Sequence, residues 1–142
     1  MYCMTYARIC LIAVIGGLIT MTAAAADLTV VVEGLKSAEG SVRVGLFNNP
    51  NSFPKSTMAG QAIEARADAV TVTFKDLVPG SYAVSAYQDI NSNQKLDTNF
   101  VGMPTEPNGF SRDARGKFGP PSFNDARIDL ANINQNIRIQ VK

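Results

Sequence analysis

The residues with the most chemical content are Asp89, Asn91, Asn93 and Asp97. They fall at alternate positions of the run Asp89-Ile90-Asn91-Ser92-Asn93-Gln94-Lys95-Leu96-Asp97. With the Lys95 backbone carbonyl they place oxygen donors at positions one, three, five, seven and nine of a short loop, which is the pattern a hard cation such as Ca²⁺ requires. Calcium is therefore the one cofactor that the residue pattern suggests. Two positions depart from the EF-hand template: the sixth is Gln94 rather than Gly, and the twelfth is Phe100 rather than an acid. Asn99, Glu106 or water would have to supply the missing ligands. The same residues also suit a loop in which Asp and Asn side chains bond their own backbone with no metal. Both readings stay open.

Other chemistries are constrained by what the chain lacks. It has no His, and its two cysteines, Cys3 and Cys10, fall in an amino-terminal leader. That leader has a short start with one basic residue, Arg8, then an apolar run from Ile9 to Met21 and small residues ending Ala24-Ala25-Ala26. This is the layout of a secretory signal peptide cleaved near Ala26, and the apolar run is short for a membrane span. The residues before Cys10 do not suit a lipoprotein signal, so the expected product has no lipid anchor and no stable membrane anchor. The expected organisation is a signal peptide over 1–26 and a single domain over 27–142, periplasmic or secreted. Without Arg8 the basic residues fall from 13 to 12, matching the 12 acidic ones. A neutral domain has no electrostatic footprint for nucleic acid. Lacking His and Cys, it also lacks the usual general base, the usual zinc ligands and the thiol nucleophile. The expectation is that it is not an enzyme. What remains open to catalysis is a carboxylate pair, Asp89 with Asp97 or Glu106, acting as in a glycosidase. Acids serving as cation ligands are held charged, which opposes a general-acid role.

The elements that position the loop follow a period of two, the signature of half-buried strands. Leu28, Val30 and Val32 alternate with more exposed positions, as do Val42, Val44 and Leu46 after the turn Lys36 to Gly40, and these two strands are expected to form a hairpin. A short strand near Ile63 to Arg66 follows, then Val70 to Phe74, then Ser81 to Gln88, which reads as buried on both faces. Ala126 to Leu130 and Ile137 to Val141 read as a closing hairpin. The expected fold is all-β: a seven-stranded antiparallel β-sandwich, immunoglobulin-like or transthyretin-like, with one long Gly/Pro-rich loop. That loop, Thr98 to Asn124, carries Phe100, Phe110, Phe118 and Phe123, too many rings for a solvated linker. Either they cap the sandwich or they line a ligand surface.

The stretch Phe74 to Val84, with Leu77 before Pro79-Gly80, is similar to the strand-turn-strand of transthyretin-like sandwiches. From Tyr87-Gln88-Asp89 through the Asn-rich loop to Gly102-Met103-Pro104, Gly109-Phe110-Ser111 and Phe118-Gly119-Pro120-Pro121-Ser122-Phe123, the chain resembles the bacterial family catalogued as domain of unknown function 2141. The resemblance implies an exported β domain and no particular mechanism. Three classes follow: a non-catalytic binding module with a cell-envelope, glycan or protein partner; a structural envelope protein without metal; and a carboxylate-dependent hydrolase.

Overall fold

A computed structural model describes residues 24–142. The leader expected over 1–26 lies outside the described residues except for its last three, of which Ala26 opens the first strand. The described residues form eight strands: β1 (Ala26–Glu33), β2 (Ser41–Phe47), β3 (Ala59–Glu64), β4 (Ala69–Leu77), β5 (Gly80–Asp89), β6 (Asn108–Phe110), β7 (Ile128–Leu130) and β8 (Gln135–Gln140). They divide between two sheets. One has the order β4-β1-β8; the other runs β3-β2-β5-β6, with β7 paired to β5 beside β6.

Alternation explains which face of each strand is covered. In β1 every second residue, Ala26, Leu28, Val30 and Val32, is buried, and Val70, Val72 and Phe74 repeat the pattern in β4. These side chains form one apolar cluster with Val42, Val44 and Leu46 of β2 and with Tyr82, Val84 and Ala86 of β5. The core therefore draws on both sheets. Leu77 is buried at its end, and the Tyr82 hydroxyl donates to the Val78 carbonyl at 2.7 Å, pinning the Pro79-Gly80 turn.

Three expectations about pairing are corrected. First, β1 and β2 do not form a hairpin but belong to different sheets. The crossing between them uses Gly34 and Gly40, both at positive φ, and a Cβ at Gly40 would lie 1.9 Å from the Asp89 carbonyl oxygen. Only glycine fits there. Second, β7 and β8 do not close a hairpin: β7 pairs with β5, whereas β8 pairs with β1, and that pairing is parallel, so the strands are not all antiparallel. Third, the described residues hold eight strands, not seven, because β6 forms inside the long loop. β6 pairs with β5, and Asn108 exchanges two backbone hydrogen bonds of 3.2 Å with Lys142, just past β8. It thus ties one sheet to the other.

The remainder of the long loop is also structured. A helical turn, α1 (Phe123–Ala126), begins at Ser122, whose hydroxyl accepts from the Asp125 amide while Asp125 accepts from the Ser122 amide. The hydrogen bonds from Ser122 hold the exposed Asp125 carboxyl below its usual pKa. On the outward face of the β2–β5 sheet a second apolar cluster forms from Phe47, Ala83, Phe123 and Ala126, with Phe53 and Phe110 packed against it. Buried Ser111 links these layers, accepting from the Val84 amide at 2.9 Å and donating to the Ala126 carbonyl. Ser111→Val is expected to cost about 1–3 kcal/mol, since it leaves a buried amide and carbonyl unpartnered, and urea unfolding would measure it.

Candidate functional site

The end of β5 delivers Asp89 fully buried into the base of the loop. Its Oδ1 accepts from the Asn93 amide at 3.1 Å and its Oδ2 from the Gln94 amide at 2.8 Å, so one carboxylate ties the loop's middle to its start. Arg43 of β2 supplies the charge partner, with Nε at 3.1 Å from Oδ2. Strand register accounts for that contact. Ser41 lies opposite Asp89 and Arg43 opposite Tyr87, which makes Arg43 and Asp89 diagonal neighbours on one face.

The other expected ligands converge on Asp97. The Asn91 Nδ2 donates to Asp97 Oδ2 at 2.6 Å, and the Asn93 Nδ2 to Asp97 Oδ1 at 2.7 Å. Each amide oxygen accepts from a loop backbone N–H: Asn91 Oδ1 from Asn93 at 3.2 Å, and Asn93 Oδ1 from Lys95 at 3.0 Å. Ser92 and Gln94 take positive φ, 58° and 67°, so the tight turn expected at Gln94 forms without glycine. Glu106, returning from the far side of the loop, is buried and closes the base: its Oε1 accepts from Ile90 N at 2.9 Å and its Oε2 from Asp97 N at 3.1 Å. Phe100, in the twelfth position, is 99% exposed and takes no part.

The donor chemistry is compatible with a hard cation. Rotating either Asn amide would turn its oxygen toward the Asp97 carboxylate, and the loop amides released are in an exposed stretch where water replaces the lost partner. Among the described residues no three Asp, Glu, His or Cys side chains close around one point. An ion here would therefore rest on Asp97 together with the side-chain oxygens of Asn91 and Asn93, the expected Lys95 backbone ligand being seen only through its amide, which donates to Asn93. Asp89 would act mainly by shaping the loop.

Tyr87 stands in the sequence only as part of the family resemblance, with no role at the site. It lies across from Arg43, and its hydroxyl donates to the Gln94 carbonyl at 3.3 Å. Burial pushes its phenol pKa up; Arg43 opposes this, and Asp89, Glu106 and Asp97 add to it. The phenol stays protonated as a donor. Arg43 was missed too, and the only trace of it in the sequence is a basic residue on the outward parity of a strand that pairs with β5. Gln88, fully buried, is a third: it donates to the Ser37 and Glu39 carbonyls and accepts from the Lys36 amide, holding the turn before β2.

The four rings divide. Phe110 and Phe123 pack with Phe53, whereas Phe100 and Phe118 are fully exposed. Phe100 rides a small hairpin with Val101 and Met103 also exposed. That hairpin is closed by a bridge between Thr98 and Pro104, and Asn99 Oδ1 accepts from the Val101 and Met103 amides, each at 3.0 Å.

Fold and site together define a two-sheet β domain with an acid-and-amide loop at the end of its central strand. A family described as "Uncharacterized protein conserved in bacteria (DUF2141)" matches residues 30–138. The chain belongs to this bacterial family. No curated protein and no solved structure matches it.

Proposed function

We propose that this protein is a non-catalytic, exported envelope module, a sandwich of the immunoglobulin-like or transthyretin-like type. Its Asp89–Asp97 loop takes Ca²⁺ and steadies a loop-built surface for a glycan or protein partner. The observation that carries the proposal is a charge imbalance. Asp89, Asp97 and Glu106 bring three carboxylates to one loop, and among the described residues the salt bridges supply only Arg43, to Asp89. A divalent cation beside Asp97 would offset the remainder. The Phe100 hairpin springs from this loop, because the Thr105 amide donates to the Asp97 carbonyl at 2.8 Å. Against a hydrolase stands the hydrogen bonding of buried Asp89, whose oxygens are engaged by three N–H groups of the protein itself.

A thermal melt with and without Ca²⁺ tests the ion. For a site of about 10⁻⁴ to 10⁻³ M affinity, 1 mM Ca²⁺ should stabilise the fold by about 0.4–1.4 kcal/mol. That is a rise of several degrees, reversed by chelator. Asp97→Ala should abolish the rise, and Asn91→Asp should enlarge it. Equal melting temperatures in Ca²⁺ and chelator would leave the loop as a hydrogen-bonded turn without metal. Export is tested separately: intact-mass measurement of the native protein should place its first residue at or near Asp27, and retention of Met1 would overturn the assignment.

A further inference from the structure

We propose that β3 is a docking edge for a second copy of this chain, the two strands pairing antiparallel about a twofold axis at Ala62. The inference goes beyond the binding-module reading and does not rest on calcium. β3 ends the order β3-β2-β5-β6, so β2 covers one of its edges and no strand of the described residues covers the other. The Ala65 amide donates to the Gly40 carbonyl at 3.1 Å, and the alternation of an antiparallel ladder follows from that bond. Ile63 and Gln61 turn their backbone groups to β2. Glu64, Ala62 and Gly60, all exposed, turn their amides and carbonyls outward.

Three other outer strands are closed by their own chain. On β4 the Gln61 side chain donates to the Thr73 carbonyl at 2.8 Å, and the pairing with β1 shifts between Ala26 and Leu28, where Asp76 takes a φ of 55°. On β8 the Asp113 carboxylate accepts from the Gln140 amide at 3.1 Å. On β6 Asn108 is bonded to Lys142. Devices of this kind keep an edge from pairing with another chain. β3 has none of them. Its pairing with β2 keeps one register throughout, and Ala59–Glu64 holds no Pro, no Lys and a single charge, Glu64.

The edge is complementary to itself. Only a twofold at Ala62 brings all three outward residues into the ladder at once: Ala62 against Ala62, and Gly60 against Glu64 of the second copy, with two hydrogen bonds to each pair. The alanines meet at the axis without crowding, and the two Glu64 side chains lie at opposite ends of the seam, so the like charges do not meet. The bulkiest outward side chain, Glu64, falls opposite Gly60. There a Cβ would meet nothing nearer than the Val44 carbonyl oxygen at 3.8 Å, and the backbone does not take positive φ. Neither packing nor conformation within one chain accounts for this glycine, and a strand glycine of that kind marks a close approach by another backbone.

One short ladder buries less than a standard interface, so the dimer should be weak, with a dissociation constant of about 0.1 mM. Sedimentation of the native protein should move from monomer toward dimer between about 0.01 and 1 mM. It should do so in Ca²⁺ and in chelator alike, so a failed calcium melt leaves this result standing. Ala62→Pro removes an amide that points away from β2, and should weaken association about tenfold while the melting temperature of dilute protein stays nearly the same. Cysteine variants read the register. Across the axis two Ala62→Cys residues would have Cα atoms about 5.5 Å apart, within disulfide range, whereas two Glu64→Cys residues would lie about 14 Å apart. Under mild oxidation Ala62→Cys should link at least tenfold faster, with the unsubstituted protein treated alongside to account for any link through Cys3 or Cys10. A monomeric mass up to about 1 mM would overturn the proposal, and so would equal linking rates for the two cysteine variants.

Discussion

Asp89→Ala is expected to destabilise the domain by about 3 kcal/mol and to lower its melting temperature by roughly 10 °C. The carboxylate is fully buried, and removing it strands three donors at once: the Asn93 and Gln94 amides and the Arg43 Nε. The Arg43 side chain is 30% exposed, so water can reach the orphaned guanidinium and the loss stays at the low end for a broken buried pair. Asp89→Asn keeps one acceptor oxygen and should cost about half as much. Asp97→Ala, in the outer part of the loop, should cost about 1 kcal/mol or less without Ca²⁺. Denaturant unfolding in chelator separates these cases. A loss below about 1 kcal/mol for Asp89→Ala would mean that the loop does not depend on its buried carboxylate.

The faces of the strands were legible because alternation is a local property, and Leu28 to Val32 or Val70 to Phe74 needed nothing beyond their own neighbours. Partners were not. A period of two tells which side of a strand is covered but not which strand lies beside it. Neighbours in sequence usually pair, so β1 with β2 and β7 with β8 were natural hairpins, yet in each case the chain changes sheets. The turn before β2 is held by contacts that only three dimensions show, such as the approach of Gly40 to the Asp89 carbonyl and the bonds from Gln88 to the Ser37 and Glu39 carbonyls. The loop divides in the same way. Asp89, Asn91, Asn93 and Asp97 stand within one nonapeptide and announce themselves. Glu106, which reaches Ile90 across 16 positions, stands in the sequence only as one candidate beside Asn99 and water, and Arg43, which reaches Asp89 across 46, falls under no spacing rule.

Rings show a similar limit, because a phenylalanine reads alike whether it is core or display. Phe53 sits among the turn-forming residues Asn48 to Pro54 that follow β2, yet it is the hub of the outward apolar cluster. Its ring meets Phe47 at 5.0 Å, Phe110 at 5.7 Å and Phe123 at 5.8 Å, each edge to face. Phe47 belongs to β2, Phe110 to β6 and Phe123 to α1, so this one half-buried ring pins the β2–β3 connection against the segment from 111 to 126. Phe53→Ala is expected to cost about 3 kcal/mol, from lost burial plus three aromatic pairs worth about 0.5–1.5 kcal/mol each. Its second effect is local. Arg115 and Lys117 lie in the exposed turn between Ala114 and Pro120, and trypsin should cut there several-fold faster once Phe123 and Phe110 lose their shared partner. Phe118→Ala, at a fully exposed ring, should change stability by no more than about 0.5 kcal/mol. Equal cleavage rates in the Phe53 and Phe118 variants would show that the segment is held by Ser111 and β6 alone, with the aromatic hub contributing packing but not order.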